Sequence, residues 1–89
     1  MGETSFTLEN AGGSELRTLQ LSRADAETWG PDRLAGETVP AGDSTVVVVD
    51  PGLGGCLYDL KAGFEGGGEV RLFLVDVCQL NGRTLALAD

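Results

Sequence analysis

The chain has 89 residues, 14 acidic side chains against six basic ones, two cysteines and no histidine, for a net charge of −8. That length fits one domain. An apolar content of 42% is too high for a disordered acidic tail, and the charge balance excludes the Lys/Arg footprint that direct nucleic-acid binding needs. Without histidine, Ser-His-Asp and Cys-His catalysis and all His-containing metal sites are excluded.

In chain order, the first expected strand runs from Ser5 to Glu9, with Phe6 and Leu8 on one face and Thr7 and Glu9 on the other. Asn10-Ala11-Gly12-Gly13 reads as a turn. A second strand follows from Leu16 to Leu21. Leu19 and Leu21 share a face but Leu16 is out of phase with them, which predicts a bulge or a late start. Ser22-Arg23-Ala24-Asp25 resembles a capping box and predicts a short helical turn from Ala24 to Trp29, ended by Gly30-Pro31. Thr45 to Asp50 is the third strand. Its four valines do not alternate with polar residues, so cover on both faces is expected.

The second half reads as a hairpin centred on Gly67. Phe64 would then face Val70, Ala62 face Leu72, Leu60 face Leu74, Tyr58 face Asp76 and Cys56 face Cys78. Opposed Cβ atoms in such a pair lie close enough for a disulfide after a small adjustment, and a Cys56–Cys78 bridge would add about 2–4 kcal/mol. Asn81-Gly82 reads as a type I′ turn that pairs Cys78 with Leu85 and Asp76 with Leu87, adding a last strand from Thr84 to Ala88. The expected fold is all-β: a small antiparallel β-sandwich of about six strands with one short helical turn, filling residues 1–89 as a single domain.

Phe6-x-Leu8-x-Asn10, Leu19-x-Leu21-Ser22, Trp29-Gly30-Pro31-Asp32-x-Leu34, Pro40-Ala41-Gly42-x-Ser44, Cys56-x-Tyr58-Asp59-Leu60 and Val75-Asp76-Val77-Cys78 follow one another along nearly the whole chain. In this order they resemble small bacterial exported domains, often marked only by a Tat-type export signal. The resemblance implies a compact β-sandwich of extracytoplasmic ancestry and no particular activity. The chain departs from that pattern in opening on Met1-Gly2-Glu3-Thr4, with no hydrophobic run behind it. The expected location is cytoplasmic if Met1 is the native start, and periplasmic or secreted if a signal was removed. No stretch approaches the roughly 18 apolar residues of a membrane span, so no membrane partner is expected.

Gly52-x-Gly54-Gly55 and Gly66-Gly67-Gly68 lack the following helix and lysine of a phosphate cradle and read as turns. Two thiolates alone make an incomplete zinc site, and no metal or cofactor is expected. Tyr58 opposite Asp76 offers an acid–base pair, with a hydrogen-bonded structural pair as the plainer reading. The acids concentrate between Asp25 and Asp50, where six stand against Arg33 alone. A single-sign field of this kind steers a basic partner. Asp25, Glu27, Asp32, Glu37 and Asp43 are the candidate contacts, with Trp29 as an aromatic anchor or a core cap. The expected function is a non-enzymatic acidic module, monomeric or weakly dimeric, that docks on a basic protein surface. An inhibitor of the anti-CRISPR or anti-restriction kind has this size and charge. The alternative is an exported structural or ligand-binding domain stapled by Cys56–Cys78.

Overall fold

The computed structural model describes residues 4–24, 29–34, 36–49 and 55–89. Among these residues six strands form two three-stranded sheets: β1 (Thr4–Asn10), β2 (Leu16–Arg23), β3 (Ser44–Val49), β4 (Leu57–Phe64), β5 (Glu69–Asp76) and β6 (Thr84–Leu87), with one helical turn, α1 (Val77–Leu80), before β6. One sheet has the order β3-β1-β6 and the other β2-β4-β5; all pairs are antiparallel except β1–β6. The alternating faces of both sheets share one core. Phe6 and Leu8 of β1 meet Leu19 and Leu21 of β2, Val47 and Val49 of β3, and Tyr58, Leu60, Ala62 and Phe64 of β4. Each large apolar side chain buried there contributes about 1.5–3 kcal/mol. The expected bulge near Leu16 is present as a register shift between Leu16 and Thr18, and it lets Leu16 reach the core alongside Leu19.

Four expectations are corrected. Val46 and Val48 are 64% and 42% exposed, so β3 is covered on one face only. The described strands form two layers around one core, so no third layer covers the outer face of β3, where Val46 and Val48 stand. The hairpin between β4 and β5 is centred on Gly66, not Gly67. Phe64 N–H donates to Gly68 O and Gly67 N–H to Phe64 O, closing a loop over Glu65, Gly66 and Gly67. Gly66 and Gly67 both have positive φ, which glycine adopts without a Cβ penalty. Ala62 therefore faces Val70 and Leu60 faces Leu72. The two-residue offset keeps the apolar faces inward, which is why side-chain pattern alone does not distinguish the two registers.

Tyr58 and Asp76 are not opposed, which is the third correction. An extra residue in β5, at Phe73-Leu74 opposite Asp59, moves Tyr58 against Val75 and Asp76 against Leu57. The acid–base pair read from the sequence is thereby separated. The fourth concerns the last strand, which does not extend β5. Asp76 Oδ1 accepts from the N–H groups of Cys78 and Gln79 and starts α1, which takes the chain out of its sheet. Asn81 and Gly82 then form a type II turn, with Arg83 N–H donating to Leu80 O. The turn docks on β1: Ser5 N–H donates to Asn81 Oδ1 and Gly82 N–H to Ser5 O. β6 then lies parallel to β1 in the other sheet.

The expected helical turn over Ala24–Trp29 falls mostly on residues 25–28, outside the described residues, as do Asp50, Gly52 and Gly54. The Cys56–Cys78 disulfide is formed, with the two Cα atoms 5.3 Å apart. The far end of the chain is fastened to the β1–β2 turn: Asp89 Oδ1 accepts from Gly13 N–H, and the Ser14 hydroxyl is the main cause holding the Asp89 carboxyl below its ordinary pKa.

Candidate functional site

Residues 30–34 and 36–39 form a segment that runs back along the free edge of β2. Gly30 N–H donates to Leu21 O, Arg33 N–H to Leu19 O, and Leu16 and Val39 exchange both backbone bonds. Leu34 and Val39 insert into the core and fix the segment from below. Asn10, fully buried at the end of β1, fixes it from the side. Its Nδ2 donates to Val39 O and Ser14 O, and its Oδ1 accepts from Gly12 N–H. Its backbone pairs with Gly42 and Asp43, where the turn from Pro40 delivers the chain into β3. The segment therefore lies beside β3, and the seam between them holds a cavity of about 270 Å³.

The backbone of β3 is open on this side. Ser5 spends its N–H and C=O on the Asn81-Gly82 turn, and Thr7 N–H donates to Arg83 O. Their antiparallel partners Val48 and Val46 consequently turn their own N–H and C=O groups away from β1. Among the described residues only one of these groups is matched: Arg33 Nη1 donates to Val48 O at 3.4 Å. Arg33 also lines the cavity, and its Nε is buried without a hydrogen-bond partner. A buried unmatched donor costs about 1–3 kcal/mol.

Glu37 and Asp43 are exposed and line the same cavity, so the structure brings these two predicted contacts together. Neither forms an ion pair with Arg33 among the described residues. Asp32 serves the fold instead. Half-buried, its Oδ1 accepts from the N–H groups of Leu19 and Leu34 and pins the segment to β2. Trp29 is half-buried on the far side of β2, with Lys61 Nζ 5.1 Å from its ring centroid. Asp25 and Glu27 lie outside the described residues. Sequence reasoning passed over Arg33, Val46 and Val48. The one signal for Arg33 was its position as the lone base in an acidic stretch.

The site offers free strand backbone, the guanidinium-bearing side chain of Arg33, two solvent-facing carboxylates and the apolar side chains of Val46 and Val48. These groups suit an extended polypeptide, whose main chain pairs with a strand edge while alternate side chains meet separate pockets. No family model, curated protein or solved structure matches the chain.

Proposed function

We propose that this protein is a non-enzymatic interaction domain that takes an extended, basic segment of a partner protein along the open edge of β3. The observation that carries the reading is the free backbone of Val46, in the seam that Arg33, Glu37 and Asp43 also line. A partner strand brings a main-chain carbonyl to the Val46 N–H and its own N–H to the Val46 carbonyl. Glu37 and Asp43 then receive Lys or Arg side chains, while the −8 net charge speeds encounter. Inhibition of a nucleic-acid-binding protein through its basic groove is the narrower form of the same proposal. The disulfide favours the second reading, an exported domain, because such bonds persist in oxidising compartments. A thiol count on protein purified without reductant tests it, and two free thiols would overturn it.

The edge is tested with a capped hexapeptide of alternating lysine and valine, followed by amide shifts. Saturable shifts are expected at Arg33, Glu37, Asp43, Val46 and Val48, weakening as salt rises through the physiological range. Val46→Pro removes an N–H that has no partner among the described residues, a change that edge strands tolerate. It should abolish binding while the other amide signals keep their positions. Val46→Pro protein that binds like the parent would sink the proposal, as would shifts clustered elsewhere.

A further inference from the structure

The sequence alone gives two thiols and no third ligand. The structure supplies one. One ligand atom each from Cys56, Asp76 and Cys78 lie within 4.8 Å of one another. The bulge in β5 that separates Asp76 from Tyr58 is what carries the carboxylate to this place, opposite Leu57 and next to the bridge. Both backbone bonds that Asp76 accepts go to Oδ1, which leaves Oδ2 to meet a ligand. The two cysteines are also held together by more than their bond. Val77 N–H donates to Cys56 O at 2.8 Å, and Leu57 pairs with Asp76, so the backbones stay in place when the sulfurs part. Cys78 is exposed and open to attack by a reductant.

We propose that the reduced protein binds a thiophilic divalent cation such as Zn²⁺ through the Cys56 and Cys78 thiolates and the Asp76 carboxylate, with water completing a tetrahedron. A dithiol reductant opens the site. One of its thiolates attacks a bridge sulfur and its second thiol resolves the mixed disulfide. The reductant leaves as a cyclic disulfide, having given two electrons to the Cys56–Cys78 bond, and both protein sulfurs are left as thiols. Metal binding then displaces two protons from them. At a metal–sulfur distance of about 2.3 Å, a tetrahedral pair of sulfurs sits about 3.7 Å apart. Cysteines whose Cα atoms are 5.3 Å apart reach this by side-chain rotation alone. The oxidised protein has both sulfurs occupied and does not bind, so the oxidation state of the bridge decides whether the site exists.

The probe is Co²⁺, added to full-length protein reduced with dithiothreitol and desalted without oxygen. The expected result is a thiolate-to-cobalt charge-transfer band with the visible bands of tetrahedral cobalt, saturating at one metal per chain. It should be displaced by Zn²⁺ and missing from the oxidised protein. Asp76→Asn keeps a side-chain oxygen to cap α1 and should weaken cobalt binding tenfold or more, and Cys78→Ser should remove the band. Circular dichroism follows the fold throughout. The proposal is overturned if reduced protein gives no charge-transfer band, or if Asp76→Asn binds as tightly as the parent. Two chains per metal would also overturn it, as would a reduced chain that unfolds and is not refolded by cobalt.

Discussion

Asn10 ties two separate parts of this fold together through one side chain. Its side chain is completely buried, yet it satisfies three backbone groups: the carbonyls of Val39 and Ser14 and the N–H of Gly12. Those groups belong to the β1–β2 turn and to the segment that walls the β3 cavity, so one amide sets the spacing between them. Asn10→Ala would leave two carbonyls and an N–H inside the protein without partners. The expected cost is about 2–3 kcal/mol, read as a lower urea midpoint at unchanged slope. Asn10→Asp should cost more, because a carboxylate would face the Val39 and Ser14 carbonyls where donors stood. The sequence marked this residue only as the start of a turn. A turn asparagine is ordinarily solvent-facing, and nothing in the local sequence tells it from one buried by a segment that arrives 29 residues later.

Among the elements, the β4–β5 hairpin separates what periodicity fixes from what it leaves open. Alternation assigned Leu60, Ala62 and Phe64 to the core and Lys61 to the outer face, and it did so correctly. It did not locate the bulge, because an extra residue in an edge strand costs little there and exposed positions impose no pattern. The bulge is fixed by a side chain instead: Asp59 Oδ1 accepts from Leu74 N–H at 3.1 Å and holds Leu74 at φ 56°. A leucine in that left-handed region is strained by about 1 kcal/mol, and with 63% of its surface exposed it recovers little by burial. Leu74→Gly should therefore stabilise the protein by up to about 1 kcal/mol, seen as a higher urea midpoint. A loss of stability would mean that the Leu74 side chain is held by contacts worth more than its backbone strain. β3 teaches the complementary lesson. Its four valines gave the right element and the wrong environment, since whether a further layer covers a strand's outer face is a property of topology and not of the strand's own residues.

For the molecule as a whole, the decisive quantities are a small shared core, a strong negative charge and one covalent staple. Two three-stranded sheets of this length bury a modest apolar area, and a net charge of −8 works against compaction. The disulfide joins positions 22 residues apart at the end of the sandwich where β4 begins and β5 gives way to α1. It was legible in the sequence even though the hairpin register behind it was offset. The bulge and α1 restore near Cys78 the residues that the shorter turn removes, so two departures from the simple hairpin cancel at the bridge. Closing a loop of this length restricts the unfolded chain by about 3 kcal/mol. Replacing both cysteines by serine should therefore lower the midpoint of thermal unfolding by roughly 12–24 °C, at about 4–8 °C per kcal/mol for a domain of this size. Added salt should recover part of that loss by screening the acidic surface, and more of it in the serine variant, whose charges repel across a looser chain. The measurement is a pair of thermal scans at low and high ionic strength for both proteins. A serine variant that melts within a few degrees of the parent at both would mean that sheet packing, not the bridge, holds the two ends of the hairpin together.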